Sequence, residues 1–296
     1  MASSSHPSDV QPSNQAGGVL GRISLFLCPL SLALMGLAVK LSAGFTTELI
    51  LLARFAFSAL IYLLILQWRG FDFRSIRPAR HILRSVLGLA SVSCLFGSIS
   101  LIPLSTALCL SYMVPVFTYG ISVYTGAARL DHRALLILGA LVGVALIVQP
   151  EASVDPLGAA LGICSALCGA LALFEIKRLS QCESPDAVLI MYFLYSTGIL
   201  ACAVLFLDSW PLAAEFALIN TSGLIAVGIL GLLYQLFLLT ALRQATVATM
   251  SMALLVAVAL GYGIDTLLLG AALSPLAVWG TALLALSLMG YHRASR

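Results

Sequence analysis

From Leu20 to its end this chain is a succession of apolar runs, most of them long enough to cross a bilayer as a helix. A hydrocarbon core roughly 30 Å thick takes about 20 helical residues, and backbone in lipid must satisfy its own hydrogen bonds. Unbroken apolar runs of that length therefore predict α-helices. Charged residues are 9% of the chain and hydrophobic ones 61%, whereas a soluble domain carries about a quarter charged residues. The expected fold is all-α and integral to the membrane, with the lipid bilayer as its solvent. A net charge of +3 is too small to suggest a nucleic-acid partner.

Breaking the runs at charges, prolines and polar clusters gives ten spans: Ile23 to Leu41, Glu48 to Gln67, Ile82 to Leu101, Ser105 to Thr125, Ala134 to Val148, Leu157 to Phe174, Ala187 to Leu207, Ser222 to Leu242, Val247 to Leu269 and Pro275 to Tyr291. Arginine and lysine mark alternate loops. Arg22 precedes the first span, Arg69, Arg74, Arg77, Arg80 and Arg84 follow the second, and Arg129 and Arg133 follow the fourth. Lys177 and Arg178 follow the sixth, Arg243 the eighth, and Arg293 and Arg296 close the chain. The other loops are short or carry Glu151, Asp155, Asp208 and Glu215. This bias predicts that both termini are cytosolic. The opening MASSSHPSDVQPSNQAGG has no basic start followed by an apolar core, so residues 1–20 are expected to form a disordered cytosolic tail and not a cleavable signal.

An odd number of spans reverses direction across the membrane. If residues 21–150 (helices one to five) repeat as residues 151–296 (helices six to ten), the two copies are inverted relative to one another. Both halves end in a pair of small-residue helices joined by a short turn, GAARLDHR and GAALSP. Inverted repeats are the architecture of secondary transporters, whose site lies between the repeats near the midplane.

Within the fourth span, SYMVPVFTYG carries polar groups and a proline where lipid would favour neither. At about 100° per residue, Ser111, Tyr112, Pro115, Thr118, Tyr119, Ser122 and Thr125 share an arc of roughly 140°. The opposite arc is apolar. Such a stripe faces either a water-filled cavity, which would make these substrate-binding residues, or a neighbouring helix. Tyr234 and Gln235 in the eighth span, and Tyr262 in the ninth, are further cavity candidates.

Three of the charged residues in or at the spans are candidates for a charge pair or for coupling. Arg54 needs a partner, either as a structural anchor or as a contact for an anionic group, since a charge at the bilayer centre costs at least about 2.5 kcal/mol. Asp265 could carry a coupling proton or meet an amine, or it could reach water near the outer end. Glu175, just before Lys177 and Arg178, fits an interfacial salt bridge. Seven scattered cysteines and four histidines (His6, His81, His132 and His292), all assigned outside the helices, show no metal spacing, and no cofactor is expected. The absence of GxxxxGK[ST] leaves ATP hydrolysis unsupported, so a proton gradient or exchange would drive transport. LGYGID lies inside a full span, which disfavours a re-entrant channel filter, and no second intramembrane aspartate supports protease chemistry. No catalytic or metal site is expected. Gly139 with Gly143, and Gly158 with Gly162, fit close helix contacts between repeats or between protomers of a homodimer.

These residues resemble the drug/metabolite transporter superfamily with its EamA-type repeats. LLARFAFSALIYLLIL, with Arg54, is similar to the family's second helix; ISLIPLSTALCLSYMVPVFTYGI, with Pro115, is similar to its third-to-fourth helix corner. GALVGVALIVQP resembles the fifth helix and TALRQATVATMSM the turn between helices eight and nine. The chain departs where the family usually has Gly-Glu, with Gly126-Ala127 and Gly270-Ala271, and its ninth helix, lacking the family's proline, is expected to be unbroken. The resemblance implies an inner-membrane exporter of an amino acid or amino-acid-derived small polar metabolite, a class that includes opine-type metallophores. The alternative is uptake or exchange of a nucleotide-like or cationic metabolite such as S-adenosylmethionine.

Overall fold

The computed structural model describes residues 14–42, 45–70, 78–102, 104–149, 155–206, 218–268 and 274–294, without the side chains at 14–19, 104–105, 218–221 and 265. Among the described residues helices are the only regular secondary structure. Twelve helices follow in order: α1 Asn14–Leu41, α2 Thr47–Arg69, α3 Pro78–Leu101, α4 Leu104–Ser111, α5 Val114–Tyr124, α6 Arg133–Val148, α7 Pro156–Cys182, α8 Pro185–Phe206, α9 Leu218–Gln244, α10 Val247–Leu254, α11 Val256–Leu268 and α12 Pro275–Ala294. Among the described residues eight helical stretches are long and apolar enough to cross a membrane, counting α4 with α5 and α10 with α11 as one each. The chain is a multi-pass membrane protein. The loop residues Arg74, Arg77, Glu151, Asp208 and Glu215, Gly270 and Ala271, and residues 1–13 of the expected tail, lie outside the described residues. α1 begins at Asn14, inside the stretch expected to be unstructured.

Local signals account for where the helices start. Asp155 caps α7, its Oδ1 accepting from the amides of Leu157 at 2.9 Å and Gly158 at 3.0 Å, and Pro156 occupies the first turn, where no amide donor is required. Thr246 caps α10 by accepting from the Thr249 amide at 3.1 Å. Pro115 stands in the first turn of α5, so the proline opens a new helix instead of distorting a continuous one. Tyr112 and Met113 form the turn between α4 and α5.

The expectation of an unbroken ninth helix is overturned. It breaks at Leu255, where the Leu255 amide reaches back to the Met252 carbonyl at 3.1 Å and the Val258 amide to the Leu255 carbonyl at 3.1 Å. These tight three-residue bonds make a turn without proline. The two broken helices meet, α5 lying against α10.

Packing proceeds in long pairs: α1 along α9, α3 along α7, and α6 along α12, with α2 against α8 and α9. Lipid tails are as apolar as the side chains, so dispersion and close approach hold such pairs together. At the α6–α12 crossing a Cβ added to Gly143 would lie 2.8 Å from the Gly280 carbonyl oxygen, and one added to Gly280 would lie 2.6 Å from that of Gly143. Only glycine at both positions lets these backbones touch. The main buried cluster gathers Phe55, Tyr62, Leu179, Ile190, Phe193 and Leu242 from α2, α7, α8 and α9.

Candidate functional site

A cavity of about 240 Å³ lies among α2, α3, α8 and α9, with α1, α5, α7 and α10 completing its wall. Its polar lining is Arg54 from α2, Arg84 and Ser91 from α3, Tyr192 from α8, and Tyr234 and Gln235 from α9. Arg84 is 3% exposed. Its Cζ stands 3.8 Å from the centroid of the Tyr192 ring, and its Nη2 donates to Gln235 Oε1 at 3.3 Å. The second guanidinium, that of Arg54, lies 5.1 Å from the Phe55 centroid and 5.9 Å from that of Tyr234. Phe55 in turn meets Tyr192 edge to face at 5.3 Å. Two cations are thus set into one aromatic frame.

Glycine makes room for both. A Cβ at Gly88, one turn along α3 from Arg84, would lie 2.8 Å from Arg84 Nη1. A Cβ at Gly231 on α9 would lie 3.0 Å from Arg54 Cγ. Among the described residues neither arginine has a carboxylate partner, and Arg84 Nη1 makes no hydrogen bond. Cation–π contacts of about 2 kcal/mol when desolvated, with the Gln235 bond, offset part of the cost of a buried charge. What remains is a pair of guanidiniums lining one cavity, with Arg84 Nη1 a buried donor that has no partner among the described residues. Such a space favours an anion, and a planar guanidinium suits a carboxylate.

The residues singled out in the sequence divide among several places. Arg54, Tyr234 and Gln235 meet in this cavity. Tyr112 and Tyr262 line a separate cavity of about 400 Å³ beside Lys40, between α1, α4, α6 and α11, and the Tyr262 hydroxyl accepts from the Ser274 amide at 2.7 Å. Asp265 lies in α11, but its side chain is outside the described residues. Glu175 is buried and accepts from Arg178 Nη1 at 3.1 Å, forming a salt bridge to an exposed arginine one turn on.

The polar stripe of α4 and α5 is largely consumed by packing and local bonds. Thr118 and Ser251, both fully buried, share a hydroxyl hydrogen bond of 2.7 Å that joins α5 to α10. The Ser111, Ser122 and Thr125 hydroxyls donate to Leu108, Thr118 and Ile121 carbonyls of their own helices. Hydroxyls bonded back to the backbone in this way need no cavity water. Pro115 is buried in the same contact region. Tyr119 leaves the stripe at its far end, donating to the Arg129 carbonyl at 2.8 Å and the Asp131 carboxylate at 3.0 Å.

Two assignments made from the sequence require correction. Arg84 was grouped with the loop arginines, yet α3 starts at Pro78 and carries Arg84 nearly two turns inside. His81 was assigned outside the helices, whereas it lies in α3, 1% exposed, with neither ring nitrogen hydrogen-bonded among the described residues. His292 is likewise helical, in α12. Proline at the start of α3 was the available signal, because proline favours a helix's first turn. Tyr192, in the apolar MYFLYS, gave no signal.

No protein-family model matches this chain. It is 27% identical over 221 residues to the pseudopaline exporter CntI of Pseudomonas aeruginosa, in both strain UCBPP-PA14 and strain PAO1, covering 74% of this chain and 76% of each relative. A solved structure described only as "Crystal structure of protein" overlays on 96% of this chain and 100% of its own with a TM-score of 0.79 at 16% identity. That likeness shows the fold.

Proposed function

We propose that this chain is a secondary active transporter of the inner membrane that exports an amino acid or amino-acid-derived small metabolite carrying carboxylate groups. The observation that carries the reading is the pair Arg54 and Arg84, set without carboxylate partners among the described residues in a cavity lined by eight helices. Similarity to a protein named as an exporter supports the direction. An opine-type metallophore falls within this class. Two unpaired cations disfavour S-adenosylmethionine or another cationic metabolite, which would meet like charge on entering.

The mechanism we infer is alternating access between two inverted five-span repeats, α1–α6 and α7–α12, with EamA-type topology and cytosolic termini. The packing supports it, since exchanging the halves turns α1 on α9 into α7 on α3 and α2 on α9 into α8 on α3, and these pairs are all present. The pairs α6 with α12 and α2 with α8 map onto themselves. The broken α4–α5 and α10–α11 are equivalents in this scheme. A carboxylate would bind between the guanidiniums, displacing Gln235 from Arg84, while Tyr192 and Tyr234 cover the apolar part. Rocking of the halves would then expose the site to the other side.

Comparing metabolites inside and outside cells with and without the protein tests this reading. An anionic amino-acid derivative should be retained when the protein is absent and restored to the medium by the wild type but not by an Arg54→Gln, Arg84→Gln variant. Retention of a cationic metabolite, or full export by the variant, would overturn it.

A further inference from the structure

At the end of the bundle where α1 begins and α12 ends, two cavities adjoin and share Arg22, Leu25, Thr249 and His292 in their walls. The first, about 380 Å³, is basic and polar, with Arg22, Arg133 and His292 beside Gln244 and Thr246 and, among the described residues, no acidic side chain in its lining. The second, about 490 Å³, is a groove lined chiefly by apolar side chains, with Arg293 at its rim. Of these basic groups Arg133 is paired, to Asp131 at 3.3 Å and to the Ala294 carbonyl at 2.8 Å. Arg22 and Arg293 are exposed, and among the described residues neither has a carboxylate partner.

Three helices repeat one arrangement here. On α1 Arg22 is followed one turn deeper by Leu25 and Phe26, on α10 Thr249 by Met252, and on α12 His292 is preceded by Leu288 and Met289. Polar lining therefore gives way to apolar lining at a common depth, within about one helical turn. Phe26 is 73% exposed and Met289 53% exposed, so the groove opens sideways toward the acyl chains of a bilayer. A small soluble anion would use only the first cavity. An amphiphile with an anionic head uses both.

We propose that this pair of cavities binds an anionic phospholipid, its phosphate where the two cavities adjoin, at Arg22, which lines both, and Arg293, which lines the groove, with one acyl chain in the groove between α1 and α12. Charge complementarity selects this occupant, because juxtamembrane arginines attract anionic lipid headgroups, each by an amount equivalent to about fivefold in affinity. The groove floor includes Met252 and Val256, which flank the break at Leu255. A bound chain therefore braces the α10–α11 turn.

The test uses delipidated full-length protein in detergent, titrated with dioleoylphosphatidylglycerol, dioleoylphosphatidylcholine or sodium phosphate, with bound lipid counted by native mass spectrometry. Phosphatidylglycerol should be held preferentially, and the preference should fall about fivefold for each of Arg22→Gln and Arg293→Gln. Met289→Trp, which fills the groove, should weaken both lipids while leaving the circular dichroism spectrum unchanged. Equal retention of the two lipids by the wild type would overturn the proposal. So would displacement of phosphatidylglycerol by millimolar phosphate, which would make the basic cavity a soluble-anion site, or unchanged lipid retention in Met289→Trp.

Discussion

Arg84 lies over the Tyr192 ring, its Cζ 3.8 Å from the centroid, and the same guanidinium donates to Gln235 on a third helix. One cation thereby joins α3, α8 and α9 across the central cavity, and its free Nη1 is the donor left for a ligand. Arg84→Lys should fail to restore function, because an ammonium neither stacks as a plane nor offers a fork of donors. A charge-assisted hydrogen bond contributes about 1.5–3 kcal/mol, so Arg84→Gln should weaken apparent affinity about tenfold to hundredfold. Export kinetics in reconstituted vesicles measure this, and a wild-type KM in both variants would remove Arg84 from the site.

Gly88→Ala tests the space beside that group. The added methyl would lie 2.8 Å from Nη1 and 3.3 Å from the Tyr192 hydroxyl, so the guanidinium must shift while the helix is kept. We expect apparent affinity to fall about fivefold to tenfold, the value of one strained hydrogen bond, with the melting temperature nearly unchanged. A large loss of stability with normal affinity would show that Gly88 serves packing alone.

Cys94 on α3 and Cys164 on α7 bring their sulfurs to 3.7 Å, across an interface between the two proposed halves. Copper–phenanthroline should oxidise them to a disulfide, detectable by mass spectrometry of the tryptic fragments. If the halves rock, the cross-link should arrest export and dithiothreitol should restore it, with Cys94→Ser insensitive to the oxidant. Full activity of the cross-linked protein would show that α3 and α7 move as one body.

Between α5 and α6 the Arg133 amide, the Tyr119 hydroxyl and the Arg133 charge hold the Asp131 carboxyl below its ordinary range. A lowered folded value means that the carboxylate stabilises the folded loop above the ordinary aspartate range and that this contribution is lost as pH falls through the lowered value. Asp131→Asn should therefore melt below the wild type at pH 7, and the two curves should converge in strong acid. A constant difference from pH 7 downward would assign the effect to shape instead of charge.

The break at Pro115 was legible because proline acts on its own segment, whereas the one at Leu255 was not, because no local residue announces it. Its α10 half is held against α5 through Ser251 and Thr118, which lie 133 positions apart. The same bond sets a neighbouring helix opposite Thr118, where the helical wheel left both a cavity and a helix open. A wheel gives the direction of a face but not what stands opposite. Arg84 was hidden differently: it stands inside the span Ile82 to Leu101, yet counting basic residues by loop assigned it to the loop before that span, and α3 starts earlier still, at Pro78.

The membrane location and the helical character were determined by the sequence alone, for the reason that in lipid every backbone group must be satisfied within its own segment. That requirement is local and is written in the length of each apolar run. The tertiary structure alone decided which polar groups meet. Arg54, Arg84, Tyr192, Tyr234 and Gln235 come from four helices, and their convergence depends on how each helix is rotated about its axis. Between helices in lipid there is no hydrophobic gradient to fix that rotation, so close packing fixes it, with Gly88 and Gly231 admitting the two guanidiniums to the space they share.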